Sequence, residues 1–93
     1  MVVGLLTVEL YLHGSQSLKD KRMVIRRVKD RLKKFNVAVS EVEHQDLWQR
    51  SELAVVTVGT NRAHADRELA AVADEIERIE PGLITRTEVE FLT

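Results

Sequence analysis

The order in which hydrophobic periodicity changes along this chain limits its fold more than any other feature. From Val2 to Leu12 apolar residues alternate with other residues, which predicts a half-buried strand. After a polar turn the spacing becomes helical, with Ser17 as the N-cap and Asn36 as the stop. The apolar stripe of this helix comprises Leu18, Val24, Ile25, Val28, Leu32 and Phe35. A strand followed by an amphipathic helix therefore opens the fold.

The rest of the chain predicts two more strands, a second amphipathic helix and a last strand. The strands are Val37–Glu43, Leu53–Gly59 and Ile84–Leu92. Thr60 or Asn61 caps the second helix, and Pro81 with Gly82 ends it. The apolar stripe of the second helix comprises Ala65, Leu69, Val72, Ile76 and Ile79.

The resulting order, β-α-β-β-α-β, is the split βαβ pattern of an α+β, ferredoxin-like fold. We expect a four-stranded antiparallel sheet with two helices on one face, formed by residues 1–93 as a single domain, because 93 residues supply only one core. The open sheet face is expected to be mostly polar, with Thr7, Glu9, Tyr11, Arg86, Glu88 and Glu90. Since this architecture serves many unrelated functions, function must be argued from its side chains.

Composition excludes several classes of protein. The chain has no cysteine, so disulfides, thiolate metal sites and a thiol nucleophile are absent. No apolar run is long enough to span a membrane, and the N-terminus lacks the pattern of a signal peptide. We therefore expect a cytoplasmic protein that does not bind membranes.

The net charge of −1 conceals a strong internal division. Residues 17–35 carry nine Lys and Arg against two acids, a net charge of +7. Residues 36–93 carry five Arg against twelve acids, a net charge of −7. Positive charge is therefore concentrated on the first helix, where it favours the binding of an anionic partner.

The first helix places five cations within an arc of about 80°. This basic face consists of Lys19, Arg22, Arg26, Lys29 and Lys33. Like charges four residues apart cost an isolated helix about 0.2–0.5 kcal/mol per pair, a cost that RNA phosphates would offset. The alternative is that the cations are solvated or are neutralised by acids of the second helix, within the chain or across a dimer.

The aromatic residues argue against sequence-specific reading of single-stranded RNA. Proteins that read RNA on such a sheet stack bases on aromatic side chains of the open face, where this chain has only Tyr11. Trp48 is predicted to be a hydrophobic lid over the edge of the core. Contacts with the backbone of structured RNA fit the basic face better.

The start of the first helix suggests a second, weaker site. Ser15, Ser17 and Lys21 are predicted to meet there and could hold an anion; the alternative is that Ser17 only caps the helix. The preceding loop, His13–Gln16, faintly resembles the phosphate loop of acylphosphatases, but neither asparagine is well placed for that chemistry. The three histidines are too far apart for a metal site. We predict no catalytic residues, metal or cofactor.

Three segments together resemble the YlxP-like family of small uncharacterised bacterial proteins. They are Leu18–Arg22, Phe35–Val42 and Asp46–Arg50, and the likeness extends over essentially the whole chain. The resemblance implies a bacterial cytoplasmic protein of ferredoxin-like fold with no established activity. Members are often encoded near translation initiation and ribosome-maturation factors, which favours ribosomal RNA as the partner. Lys19, Lys21 and Arg22 match the family motif, but the family supplies no catalytic residues.

Three functional hypotheses follow. The leading one is an accessory factor that binds structured RNA, such as ribosomal RNA or the ribosome, through the basic face. The second is a homodimeric protein-interaction module that uses the open sheet face or an edge strand. The third is a small phosphate-handling enzyme at the start of the first helix.

Overall fold

The computed structural model describes residues 1–92 and contains four strands and two helices in the predicted order. Their bounds are β1 Val2–Tyr11, α1 Leu18–Leu32, β2 Val37–Glu43, β3 Arg50–Gly59, α2 Arg62–Ile79 and β4 Ile84–Phe91. Ser17 caps α1 by accepting a hydrogen bond from the backbone N–H of Asp20, and Asn61 caps α2 in the same way through His64. The element order predicted from periodicity is therefore confirmed.

The strands form one antiparallel sheet with the order β2-β3-β1-β4. β1 and β3 lie at the centre, and both edges are formed by strands that follow a helix. This is the predicted ferredoxin-like α+β arrangement. Because β1 and β2 are separated by β3, α1 must cross over the sheet to connect them.

The core lies between the sheet and the helices. It is built from alternate residues of β1 and β3 and from the predicted helical stripes, as periods of 2 and 3.6 require. The fully buried large apolar side chains are Leu6, Val8, Leu10, Leu12, Val28, Leu32, Leu53, Val55, Leu69, Ile76 and Leu83. Truncating one of these leucines to alanine costs about 2–5 kcal/mol in comparable cores.

Two element boundaries differ from the sequence prediction by more than one residue. α1 ends at Leu32 and a turn follows, in which the N–H of Phe35 donates to the carbonyl of Leu32. Phe35 still packs against the core from this turn, which is why it fitted the helical spacing. β3 begins at Arg50, earlier than predicted, because it pairs with Tyr11 at the end of β1. Pairing with a neighbour thus extends a strand beyond its apolar segment.

The open face of the sheet divides into two halves. The polar half carries five of the predicted residues, including the paired Glu9 and Arg86 and the paired Thr7 and Glu88, whereas Glu90 pairs with Leu5 in the other half. The other half is apolar, which the sequence prediction missed. It consists of Val3, Leu5, Ala38, Ala54, Val56 and Val58. Val58 is 49% exposed, so no part of the chain in residues 1–92 covers this apolar half fully.

Neither helix within residues 1–92 is sufficiently long and apolar to cross a membrane.

Candidate nucleic-acid interface

All five residues of the predicted basic face are exposed in the structure. Lys19, Arg22, Arg26 and Lys29 lie on α1 itself, and Lys33 is its C-cap. α1 can hold these cations outward because its opposite side is anchored by Ile25, Val28 and Leu32. The helix therefore presents its charge from a rigid position.

A groove of about 460 Å³ runs between α1 and the β2 edge of the sheet. Three cations of the basic face, Arg22, Arg26 and Lys29, line it, and we call them the β2 flank. The remaining lining residues are Leu18, Lys21, Ile25, Glu41, Gln45 and Asp46. The groove thus combines an apolar floor with cations along one wall and the segment after β2 at one end.

The cations on the other side of α1 are paired with α2. Arg31 and Lys34 contact the carboxylate of Glu75 at 2.8 and 3.1 Å, and Arg78 reaches the same carboxylate at 3.1 Å. Arg27 lies 3.5 Å from the carbonyl of Ile79. We call Arg27, Arg31 and Lys34 the α2 flank. One acid of the second helix, Glu75, therefore neutralises cations of the basic segment, but on the side away from the predicted basic face.

Glu75 is the centre of these contacts on the α2 flank. Its side chain is only 4% exposed, although its cationic partners are largely exposed. Hydrogen bonds from Lys34 and Arg31 lower the pKa of the Glu75 carboxyl, against the opposing effect of burial. The carboxylate therefore stays ionised and holds α1 against α2.

The β2 flank has no such partner. Within residues 1–92, Arg22, Arg26, Lys29 and the nearby Lys19 form no ion pair within 4 Å. Lys33 forms an ion pair with Asp30, at 3.1 Å and with both side chains well exposed. An exposed pair of this kind contributes little to stability. The charge of the β2 flank thus remains available to a ligand.

Lys21 occupies a different environment from the cations around it. It is 2% exposed, and its Nζ lies 2.8 Å from the carboxylate of Glu41 and donates to the carbonyl of His44. Ser51, also buried, donates to the same carboxylate at 2.6 Å. The three side chains tie the first turn of α1 to β2 and β3, a network that the sequence analysis missed.

The Glu41 carboxyl is held in its ionised form by this network. Burial alone would raise its pKa, but hydrogen bonds from Lys21 and Ser51, together with the charges of Lys21 and Lys29, lower it below the ordinary value. The charge of Glu41 is therefore already balanced by Lys21. This leaves Asp46 as the other acid that lines the groove.

The residues of the weaker anion site all have contacts within the chain. Ser17 caps α1, with its Oγ 3.1 Å from the backbone nitrogen of Asp20, which confirms the predicted capping role of that residue. Ser15 is buried, and its carbonyl lies 3.4 Å from the side-chain amide of Gln49. Lys21 is paired as described. Anion binding by this trio, and phosphate chemistry beside it, stay predictions that no contact in the structure favours.

Trp48 does not cover the core as predicted. It is 53% exposed and stands in the connection between β2 and β3, next to Leu47, which is 45% exposed. Neither residue belongs to the apolar residues that pack against the core. A second hollow, of about 580 Å³, opens here and is lined by Tyr11 and residues 46–50.

The fold and the unpaired basic groove define a small α+β protein with a candidate anionic-polymer interface, and comparisons with solved structures agree on the fold. The chain aligns over its full length with 93% of SnoaB, a cofactor-independent oxygenase from Streptomyces nogalater (TM-score 0.56, 13% identity). It also aligns over 99% of its length with 96% of the de novo designed protein Foldit4 (TM-score 0.54, 16% identity). At these identities the likeness shows the fold alone.

Sequence comparison identifies the family. The chain belongs to the family described as "Protein of unknown function (DUF503)", whose pattern matches residues 3–89. It is 37% identical to the uncharacterized protein YlxP of Bacillus subtilis strain 168, in an alignment that covers 94% of this chain and 98% of that protein. The predicted resemblance to the YlxP-like family is therefore confirmed.

Proposed function

We propose that this protein is a cytoplasmic accessory factor that binds structured RNA, such as ribosomal RNA in the ribosome, through the β2 flank of α1. The observation that carries the proposal is the difference in pairing between the two sides of α1. The cations that stabilise the fold are paired with acids. In contrast, Arg22, Arg26 and Lys29 line a groove and have no ion-pair partner within residues 1–92.

The geometry of the β2 flank suits a phosphate backbone. Its cations lie on successive turns along one side of α1. Phosphate contacts of this kind position a protein on a nucleic acid without reading the base sequence. Each neutralised phosphate releases counterions, so affinity depends steeply on salt. The polar half of the open face offers only Tyr11 for base stacking, in keeping with backbone contacts.

Co-sedimentation with ribosomal subunits and with free ribosomal RNA, at low and physiological salt, tests the proposal. The reversal variant replaces Arg22, Arg26 and Lys29 with Glu. We expect it to bind at least about 100-fold more weakly than the parent, because three phosphate contacts become repulsive, while urea denaturation shows that it remains folded.

The matched control places the same charge change elsewhere, as Arg62→Glu, Arg67→Glu and Arg86→Glu. It should bind within about fivefold of the parent, since none of the three arginines lines the groove and salt screens charges that do not contact the RNA. Equal loss in both variants would mean that only net charge matters. Binding of the reversal variant at parental affinity would exclude the β2 flank as the contact surface.

A second candidate function is homodimerisation through the apolar half of the open sheet face. Apolar patches of this kind often mark interfaces, and two sheets can pack face to face at about 10 Å. Val56 lies at the centre of the patch, paired with Leu5 and Ala38. Light scattering over a concentration series should show a dimer that Val56→Lys dissociates. A monomer at all concentrations would exclude this candidate.

A further inference from the structure

The hollow beside Trp48 is built unlike an ordinary surface turn. Its connection is fixed at both ends: the N–H of Leu47 donates to the carbonyl of His44 at 3.1 Å, and the carbonyl of Gln49 accepts from Leu12 at 2.8 Å. The carbonyl of His44 also accepts from buried Lys21. These contacts anchor the backbone on both sides of Trp48, so that its exposed indole is presented from a fixed base.

The surroundings of Trp48 combine aromatic and cationic groups. Tyr11 lines the same hollow, and its ring is held edge-on against His13 with the centroids 4.5 Å apart. Arg50, opposite Tyr11 on β3, is about half exposed, and its nearest acid is Glu9 at 3.9 Å. An aromatic ring with a cation at its edge favours a flat, electron-rich ligand carrying a negative charge, which is the chemistry of a nucleotide.

The hollow adjoins the proposed phosphate groove, because Asp46 lines both of them. An RNA strand seated along Arg22, Arg26 and Lys29 and continuing past Asp46 therefore reaches the hollow beside Trp48. A base inside a duplex has both faces covered by the neighbouring base pairs, whereas an unpaired base at a bulge can be turned outward to stack on a protein side chain.

We propose that Trp48 stacks on an unpaired base of the structured RNA whose backbone lies along the β2 flank. This inference rests on the proposed function and names the RNA element that the site selects: a bulged nucleotide within a duplex. Tyr11 and Arg50 border the stacked base, and specificity is for the unpaired state and not for a particular base, because every base offers a π-face.

The chain's single tryptophan makes the test direct. Three RNA hairpins with the same compact loop serve as probes: one with a fully paired stem, one with a single unpaired adenosine in the stem, and one with an abasic residue at that stem position. The unpaired adenosine should strengthen binding about tenfold over the fully paired hairpin and quench Trp48 fluorescence through stacking. The abasic hairpin should bind like the paired one without that quenching.

Variants separate stacking from phosphate binding. Trp48→Ala should abolish the preference for the unpaired adenosine and leave affinity for the paired hairpin within about twofold, while Trp48→Phe should retain part of the preference. Equal binding of all three hairpins with unchanged fluorescence would overturn the inference and leave the proposed function standing. Absence of binding to every hairpin would overturn both.

A protein contact would give another result. If Trp48 emission changes with protein concentration in the absence of RNA, and the hairpins leave it unchanged, the hollow is an interface between copies of the chain and the stacking proposal is wrong.

Discussion

The two flanks of α1 carry the same kind of side chain and differ in what surrounds them. On the α2 flank, Arg31 and Lys34 converge on the buried carboxylate of Glu75. On the β2 flank, Arg22, Arg26 and Lys29 line an open groove and have no ion pair within residues 1–92. Because α2 covers one side of the helix and leaves the other open, one set of cations stabilises the fold and the other remains free.

The comparison shows why a count of charges could not decide between RNA binding and self-neutralisation. Self-neutralisation is seen on the α2 flank, whereas the β2 flank of the same basic segment is the set that we propose for RNA. Lys21 adds a third environment, since it is buried between α1 and the sheet with Glu41. The following predictions test whether these environments are independent.

The largest effect on stability is expected from Lys21→Met. Removing the amine leaves the Glu41 carboxylate and the carbonyl of His44 without their buried partner, which should cost about 3 kcal/mol of unfolding free energy. Urea denaturation measures it. Adding Glu41→Gln, which can still accept the hydrogen bond of Ser51, should recover about half of the loss. A cost below about 1 kcal/mol, or no recovery, would contradict this view of the network.

A smaller effect should follow from Glu75→Gln on the α2 flank. The neutral side chain no longer attracts Arg31, Lys34 and Arg78, so the urea midpoint should fall, by less than in Lys21→Met because those partners are largely exposed. RNA affinity should remain at the parental value. If affinity rose or fell markedly, the two flanks would be coupled, and the comparison between them would fail.

Acidification should weaken the fold through both carboxylates. The pKa values of Glu41 and Glu75 are lowered in the folded protein from an ordinary value of 4.5. Their contribution to stability is therefore complete above the unfolded pKa and is lost as the pH falls through the lower folded values. Urea midpoints from about pH 7 to about pH 3 should show this decline.

The control for this pH dependence is the double variant Glu41→Gln with Glu75→Gln. At about pH 7 its urea midpoint should be lower than that of the parent, and below about pH 4.5 the midpoint should fall less steeply than in the parent. An equally steep decline would assign the acid sensitivity to other carboxylates.

The smallest effect should come from Asp46→Asn. Asp46 lines both the groove and the hollow beside Trp48, where it would repel a bound phosphate. Neutralising it should strengthen binding to ribosomal RNA about two- to fivefold at low salt. Fluorescence anisotropy of a labelled RNA measures the change, with Asp66→Asn on α2 as the matched control. A decrease in affinity would place the RNA elsewhere.

The fold could be predicted from the sequence because its signals are local. Alternation in β1 and helical spacing in α1 and α2 determine which face of each element is buried, and Ser17 and Asn61 mark where the helices begin. The end of α1 was misplaced because Phe35 matches the helical spacing while lying in the following turn. A local pattern does not distinguish a residue that reaches the core from the last turn of a helix from a residue that reaches it from the turn after the helix.

The candidate site could be predicted only in part, because it depends on contacts between residues that are distant in the sequence. The spacing of Lys21, three residues after Leu18 and four before Ile25, places it within the apolar stripe of α1. Glu41 continues the alternation by which Val37 and Val39 point inward from β2. These two signals together indicate a buried pair, but each by itself is typical of a surface residue. The pairing of Arg31 with Glu75 has no local signal, because it requires the packing of α1 on α2.

The most direct test of the central claim is the salt dependence of RNA binding in two matched variants. One replaces the β2 flank with glutamine (Arg22→Gln, Arg26→Gln, Lys29→Gln), and the other replaces the α2 flank (Arg27→Gln, Arg31→Gln, Lys34→Gln). Each variant loses three positive charges. Binding is measured under conditions in which urea denaturation shows that both variants are folded. We predict that the slope of log affinity against log salt concentration becomes shallower by about 2–3 in the β2-flank variant and is unchanged in the other. Equal changes in both slopes would contradict the claim that the open side of α1 is the RNA-binding surface.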